Sequence, residues 1–277
     1  MTIQEVIDGV IKKTGVDPIP EDQTCDKFMI GNRESQVNKI GTTFMATVDV
    51  IKKAKERGIN FIITHEPTWF TGADDTSWLK DDPVYREKEK LILESNISIW
   101  RFHDHMHMAS EDGIYRGFDQ EFGWGQYRMA KIESDDFIDQ VGACYEIPEI
   151  TLRDLCGFFK RKSDMQVIQI VGNPDMPVRR VAVLVGGGSL GLGVESMPMR
   201  LMEKRNIDLA ICGDITEWTL PAYIRDAAQM GMNKGMLVLG HERSEEPGMK
   251  HMAEWMKTVT GDIDVEFLDA GEPFSYL

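Results

Sequence analysis

The sequence predicts an α/β protein in which a largely parallel sheet is covered by helices on both faces. Short apolar runs of strand length alternate with longer segments whose apolar residues recur at helical spacing. The chain has 277 residues, enough for one large or two modest domains. Hydrophobic residues make up 42% and charged residues 28%, the mix of an ordinary globular protein, which excludes collagen-like and disordered classes.

The first half of the chain begins with an amphipathic helix. Its apolar side chains lie at Ile3, Val6, Ile7, Val10 and Ile11, and Gly15 can end it. A β-α-β rhythm follows and then repeats once, with a polar, acidic loop at residues 71–82. The elements predicted from this rhythm are a strand at 40–47, a helix at 48–57, a strand at 60–64, a helix at 83–95 and a strand at 97–102.

The second half continues the alternation. Amphipathic spacing predicts helices at 151–161, 195–204, 219–230 and near 245–258. Short apolar runs predict strands at 166–171, 180–185, 209–212, 236–239 and 265–268. An acidic run at 133–136 places a domain boundary, so we expect one domain at residues 1–133 and another at 134–277.

Charge and hydropathy restrict the partners and the location. Lys plus Arg number 31 and Asp plus Glu number 46, and the net charge of −15 repels nucleic acids and anionic membranes. Apolar stretches fall far short of the roughly 20 residues that cross a bilayer. The start of the sequence has no secretory pattern and the four cysteines form no CxxC pair, so we expect a cytoplasmic protein with reduced thiols.

Five of the six histidines come just after predicted strands. They are His65, His103, His105, His107 and His241. In open α/β sheets, ligands bind beyond the carboxyl ends of the strands, so polar side chains that follow several strands converge on one crevice. The positions of the histidines therefore predict a binding site there.

The HDHMH motif at 103–107 places three imidazoles in five residues, a density typical of a metal site or a pH sensor. In an extended segment all three rings share a face, whereas in a helical turn only His103 and His107 do. The sequence leaves both conformations open.

Two further motifs pair an imidazole with a carboxylate. His65 is followed by Glu66, and His241 lies four positions before Glu245 at the predicted start of a helix. A mixed set of nitrogen and oxygen donors in which imidazoles predominate favours zinc, iron or manganese over calcium or magnesium.

Four motifs occur in order along the chain: ITHEP at 63–67, HxxxH at 103–107, CGD at 212–214 and GHxxxE at 240–245. Their order resembles the NGG-one-interacting-factor-three-like family, whose members are also called homologues of GTP cyclohydrolase I type two. The resemblance implies a bilobal, three-layer α/β/α protein with largely parallel or mixed sheets. It also implies two metal ions close together at the carboxyl ends of the strands, and assembly into a hexameric ring.

The resemblance assigns ligands residue by residue. His65 matches the first histidine of the family motif ITHHP, and Glu66 replaces the second. His103 matches the histidine of HTNLD, and His107 falls where the bridging aspartate of that motif belongs. The implied metal ligands are His65, Glu66, His103, His107, His241 and Glu245, the last two without change from the family pattern.

The donor set predicts a metal-dependent hydrolase, with Glu217 or Asp104 as general base. The resemblance makes a small nucleotide-like or phosphorylated compound the expected substrate. Glu217 lies in a segment that normally carries paired histidines in the family. A non-catalytic, metal-binding scaffold that forms a ring or binds protein partners is the alternative. A third hypothesis is a dinucleotide-binding oxidoreductase, because GGGSLG at 186–191 satisfies GxGxxG and Asp208 follows about 20 residues later.

Overall fold

The computed structural model describes residues 1–132 and 136–277. The chain divides into two compact units, the first formed by Met1–Gly117 with Glu246–Gly271 and the second by Phe118–Glu245 with Glu272–Leu277. The predicted boundary at 133–136 falls for the most part outside the described residues. The first unit contains two separate stretches of sequence, a grouping that only long-range contacts reveal.

The secondary structure of the described residues is as follows. The strands are β1 Phe28–Ile30, β2 Lys39–Thr43, β3 Phe61–Thr64, β4 Ser98–Arg101, β5 Ala143–Thr151, β6 Gln169–Val171, β7 Pro177–Leu184, β8 Leu209–Cys212, β9 Gly235–Val238 and β10 Asp264–Phe267. The helices are α1 Ile3–Thr14, α2 Val48–Glu56, α3 Pro83–Glu94, α4 Asp104–Met108, α5 Gly113–Phe122, α6 Phe137–Gln140, α7 Leu152–Lys162, α8 Met197–Lys204, α9 Leu220–Gln229 and α10 His241–Thr260.

Each unit contains one five-stranded mixed sheet. The order in the first unit is β1-β4-β3-β2-β10, with β1 antiparallel and the other pairs parallel. The order in the second unit is β5-β7-β8-β9-β6, with a parallel centre and an antiparallel strand at each edge. The α/β class with mixed sheets predicted from the sequence is thus confirmed.

Local sequence explains why the regular elements form where they do. Thr2 and Glu5 make a capping box at the start of α1, and Gly15 ends that helix in the left-handed conformation. Thr47 caps α2, and Asp82 caps α3, whose first residue is Pro83. These caps lie within one or two residues of the predicted ends.

Both cores are built from the apolar faces of these elements. In the first unit, Ile51 and Ala54 of α2 and Ile92 of α3 pack with Ile62 and Ile99 of the sheet. The second unit packs side chains of α8 and α9 against β7 and β8, among them Leu201, Ile224, Leu184 and Ala210. Fully buried strands of this kind read as continuous apolar runs, which is why the central strands were predictable.

Several elements were not predicted. β1 is only three residues long, β5 contains Pro148 and two glutamates, and α4 and α6 have five and four residues. α5, with ten residues, was also not predicted. β5 lies at a sheet edge, where a proline is tolerated because one side of the strand needs no hydrogen-bonded neighbour. Among the described residues, no helix is long and apolar enough to span a bilayer.

The dinucleotide hypothesis loses its structural basis. After β7 the GGGSLG segment forms a 3-10 turn, Gly186–Leu190, and the next helix begins only at Met197. A dinucleotide fingerprint needs the glycines to open directly into an α-helix. Asp208 precedes β8, and its Oδ2 atom accepts hydrogen bonds from the backbone N–H groups of Arg179 and Arg180 at 3.0 and 2.8 Å. Its carboxylate therefore holds the backbone of β7 and is not placed to bind the ribose of a dinucleotide.

Candidate metal centre

Three imidazoles lie together at the carboxyl ends of β3 and β4 in the first unit. We call His65, His103 and His107 the three-imidazole cluster. Their ring centroids are 4.6 Å apart for His65 and His103, 5.1 Å for His65 and His107, and 4.8 Å for His103 and His107. One ring nitrogen from each lies within 4.8 Å of the other two, close enough for one metal ion to bind all three.

The sheet and a short helix produce this arrangement. β3 and β4 are parallel neighbours with Thr64 opposite Arg101, so the residues that follow these strands emerge side by side. His103 immediately precedes α4, and its carbonyl accepts the backbone N–H of His107 at 3.1 Å. The motif is therefore helical, and His103 and His107 share a face while His105 is buried elsewhere.

Each ring of the cluster is oriented by an oxygen at its Nδ1 atom. His65 Nδ1 lies 3.1 Å from the carbonyl oxygen of Phe102, His103 Nδ1 lies 2.8 Å from Asp104 Oδ1, and His107 Nδ1 lies 2.9 Å from Asp112 Oδ2. An imidazole whose Nδ1–H donates to an oxygen carries its lone pair on Nε2. Metal-binding histidines almost always have this arrangement, with the outer nitrogen bonded to a carboxylate or carbonyl.

Electrostatics keep the central ring neutral. Burial lowers the pKa of His103, and the neighbouring His65 and His107 lower it further, although the hydrogen bond to Asp104 opposes them. The same hydrogen bond holds the pKa of the Asp104 carboxyl well below its usual range. The site thus presents a neutral imidazole to a cation at physiological pH.

Glu66 lies beside the cluster and is held by a buried arginine. Its Oε1 atom is 3.7 Å from His103 Nε2, and its Oε2 atom accepts a hydrogen bond from Arg101 at 3.1 Å. Arg101, which is 3% exposed, also donates to the carbonyl oxygens of His65 at 3.1 Å and Gly72 at 2.6 Å. Sequence reasoning missed Arg101, whose signal was a charged residue that ends an otherwise uncharged buried strand.

The second unit holds a smaller donor set, the His241–Glu245 pair. α10 begins at His241, four residues earlier than predicted, and this places the two side chains one turn apart with His241 Nε2 3.1 Å from Glu245 Oε2. His241 Nδ1 lies 2.9 Å from Oδ2 of Asp214, which follows β8. The orientation of this fourth imidazole repeats that of the three-imidazole cluster.

The glycine-rich turn packs directly against this pair. Gly186 has a φ of +48°, and a Cβ atom built on it would lie 2.6 Å from His241 Nε2 and still closer to Glu245. Its backbone N–H donates to Ser244 Oγ at 3.0 Å, and that hydroxyl donates to the carbonyl oxygen of His241 at 2.8 Å. Gly186 is therefore required because the backbone must approach both donors.

The two carboxylates considered as general bases have different surroundings. Both oxygens of Asp104 are committed, Oδ1 to His103 and Oδ2 to the hydroxyl of Thr24 and the backbone N–H of Cys25, each at 2.8 Å. Glu217 is exposed in the turn after β8. Asp104 is placed to orient His103, whereas Glu217 faces solvent.

The structure brings four of the six expected ligands into one neighbourhood of the first unit and the other two together in the second unit. The first set is His65, Glu66, His103 and His107. Sequence reasoning did not identify Asp112 and Asp214 as oxygen partners. The role of Asp112 depends on the turn between α4 and α5, and that of Asp214 on where the distant His241 lies.

The fold and these donor sets define an α/β protein with candidate metal sites at the carboxyl ends of its strands. Residues 19–273 match the model of the family Duf34/NIF3 (NGG1p interacting factor 3). The chain belongs to that family, and the resemblance seen in its motifs is confirmed.

Proteins of similar sequence and of similar structure support this family assignment. The chain is 25% identical over 254 residues to a GTP cyclohydrolase 1 type 2 homolog of Clostridium perfringens, covering 90% of each chain. It is 28% identical over 234 residues to the homolog of that name in Clostridium acetobutylicum, covering 82% of this chain and 79% of the relative. The crystal structure of a Bacillus cereus protein related to NIF3 has the same fold, with a TM-score of 0.74, 14% identity and coverage of 100% and 99%.

Proposed function

We propose that this protein is a metal-dependent hydrolase that acts on a small nucleotide-like or phosphorylated substrate. One observation carries the proposal: four imidazoles beyond the ends of strands each have Nδ1 held by an oxygen, at 2.8 to 3.1 Å. Such an arrangement leaves the Nε2 lone pair of each ring available to a cation, three in the first unit and one in the second. The name of the clostridial relatives, GTP cyclohydrolase 1 type 2 homolog, supports a nucleotide as substrate.

We propose zinc, iron or manganese as the metal, with two ions per chain. The three-imidazole cluster with Glu66 is one donor set, and the His241–Glu245 pair is the other. Neutral imidazoles outnumber the hard oxygen donors, which favours transition metals over calcium or magnesium. The half-buried Glu66 forms an ion pair with the buried Arg101, so Glu66 adds a donor whose negative charge is compensated.

The chain's own residues set the conditions for hydrolysis. A bound divalent cation supplies Lewis-acid activation of water. His103 stays neutral through burial, and Asp104 holds its tautomer. Glu217, exposed after β8, is our candidate to accept the proton of the attacking water, since both oxygens of Asp104 are already hydrogen-bonded.

Metal content per chain tests the binding step. We expect about two equivalents by elemental analysis of untagged protein reloaded with zinc, iron or manganese. The double variants His65→Ala/His107→Ala and His241→Ala/Glu245→Ala should each lose about one equivalent, because each removes one donor set. The control His251→Ala should lose none, since His251 is hydrogen-bonded to Glu254 on the surface of α10. No metal in wild type after reloading would refute the proposal.

Turnover tests the catalytic step. The metal-loaded protein should hydrolyse at least one member of a panel of nucleotides and phosphoesters. Glu217→Gln should lower its rate by about 100-fold or more while metal content stays unchanged, because removal of a general base typically costs that much. If no substrate is turned over with any metal, the hydrolase proposal is wrong and the non-catalytic alternative, a metal-binding scaffold, is favoured.

We also propose that the protein is a homo-oligomer, with a hexamer as the expected form. The family resemblance supports this proposal.

A further inference from the structure

A loop from early in the chain holds the turn that carries two of the three clustered imidazoles. We propose that Asp26 is a positioning residue for this turn, and that His105 is its anchor rather than a metal ligand. The inference rests on the proposed metal-binding function. It adds Asp26, which no motif identified, and gives His105 of the HDHMH motif a role of its own.

Asp26 accepts hydrogen bonds from three consecutive backbone N–H groups, those of residues 103–105. Its Oδ1 atom accepts the backbone N–H groups of His103 and Asp104, the latter at 2.8 Å. Its Oδ2 atom accepts the backbone N–H of His105 at 3.0 Å and lies against Nδ1 of the same residue. Asp26 is buried, with 4% of its surface exposed. A buried carboxylate is stable only when its oxygens are satisfied in this way.

These hydrogen bonds replace a missing helix cap. His103, at the N-cap position of α4, makes no side-chain capping bond, and its backbone lies outside the helical region at φ −124° and ψ −67°. The first N–H groups of a helix have no partner within the helix. A carboxylate from another segment supplies that partner, so the start of α4 is fixed by tertiary contact and not by its own sequence.

His105 fixes the rotation of the turn. It is 1% exposed, and its ring faces Asp26, whereas the rings of His103 and His107 face His65. In a helical turn, holding the middle residue on one side holds its neighbours two positions away on the other. The third imidazole of the HDHMH motif thereby has a role that does not require it to bind the metal.

The residues before Asp26 reinforce the same geometry. Thr24 Oγ1 and the backbone N–H of Cys25 both donate to Asp104 Oδ2 at 2.8 Å, and Asp104 Oδ1 in turn engages His103 Nδ1. The segment 24–26 therefore sets both the backbone position of His103 and the orientation of its ring. We infer that metal affinity depends on residues about 80 positions earlier in the sequence.

Cobalt(II) titration followed by its visible spectrum, with zinc affinity measured by chelator competition, tests the inference. Asp26→Asn cannot accept from all four donors, because one oxygen becomes an NH2 group. It should bind zinc about 10- to 100-fold more weakly, the usual cost of losing a partner that orients a ligand, and its cobalt spectrum should shift. Asp22→Asn, an exposed residue of the same loop, is the matched control and should bind as wild type.

A second pair of variants keeps the test decisive if Asp26→Asn does not fold. His105→Asn keeps a donor that can reach Asp26, whereas His105→Leu removes it. Loss of affinity in His105→Leu but not in His105→Asn supports the inference, and equal wild-type affinity in both overturns it. Wild-type zinc affinity and spectrum in folded Asp26→Asn also overturn it. Absence of cobalt and zinc binding by the wild type removes the proposed function itself, and this inference with it.

Discussion

At the residue scale, the site depends on which nitrogen of each imidazole is engaged. The four oxygens that hold Nδ1 come from a backbone carbonyl and from Asp104, Asp112 and Asp214. The Phe102 carbonyl and Asp104 lie close together after β4, Asp112 precedes α5 and Asp214 follows β8, yet each oxygen has the same effect on its ring. The tautomer is thus fixed before any ligand arrives, which lowers the cost of ordering the site on binding.

Gly186→Ala is expected to abolish metal binding by the His241–Glu245 pair. The added methyl would overlap both donor side chains, and a φ of +48° strains a residue that has a Cβ atom. Elemental analysis should show about one equivalent fewer than in wild type. Gly187→Ala is the control, because the nearest atom to its Cβ would be 3.7 Å away. Unchanged metal content in Gly186→Ala would show that the close approach is not needed.

Lys88 should make stability depend on pH. Burial lowers its pKa from 10.5 to about 8, and nearby Asp74 offsets only part of that effect. Because the folded-state pKa lies below the unfolded one, the cost of burying the charge is fully present below pH 8 and disappears as the pH rises to 10.5. The free energy of unfolding contributed by Lys88 should therefore rise by about 2 kcal/mol between pH 7 and 10.

Urea unfolding of wild type and Lys88→Met across that pH range measures this contribution. The difference between the two proteins should change in favour of wild type as the pH rises. Lys90→Met, on the exposed side of the same helix, should follow wild type at every pH. A Lys88→Met difference that does not vary with pH would contradict the expectation.

At the element scale, α5 and α10 contact each other at glycines that belong to the first unit. A Cβ atom on Gly117 of α5 would lie 2.5 Å from the nitrogen of Gly248 and from the carbonyl oxygen of Pro247 in α10. A Cβ on Gly248 would in turn meet the backbone of Ile114. The backbones therefore approach more closely than any side chain permits, and this contact depends on small residues in both helices.

Gly117→Ala should destabilise the protein by about 2 kcal/mol or more, because the clash is with backbone and neither helix can yield without repacking. The midpoint of thermal unfolding should fall by several degrees. Gly157→Ala in α7 is the matched control: its Cβ would meet only the flexible end of Arg161, so helix propensity should leave stability equal or slightly higher. A midpoint unchanged in Gly117→Ala would show that the helices can separate freely.

The helices and strands also show which elements can be predicted from sequence patterns and which cannot. The central strands and amphipathic helices were predicted to within a few residues, because burial imposes a period on the sequence. β1 and α4 were not, since β1 is held by pairing with β4 and α4 by the carboxylate of Asp26. Elements that are stabilised by distant partners leave little local signal.

At the scale of the whole molecule, the chain carries a sheet and a core in each of its two units. Large apolar side chains are exposed on both, among them Trp78 at 59% and Trp218 at 76%. Burying such side chains between copies stabilises an assembly. We expect the proposed homo-oligomer to bury part of this surface.

Light scattering after size-exclusion chromatography should give a mass near six times that of the chain. Dilution should not dissociate it in the micromolar range, because obligate rings bury large interfaces. A monomer at all concentrations would refute the proposed oligomer without affecting the metal sites.

The sequence by itself determined the α/β alternation, the family and the placement of His65, His103 and His241 beyond strand ends, because these follow from local periodicity and motif order. Only the tertiary structure decided that a helix starts at Asp104, that Arg101 holds Glu66, and that Asp26 and Asp104 orient the turn. The physical reason is the separation in sequence between the interacting residues. Periodicity reports on burial of neighbouring residues, whereas these hydrogen bonds join residues up to about 80 positions apart and leave no repeating pattern in the chain.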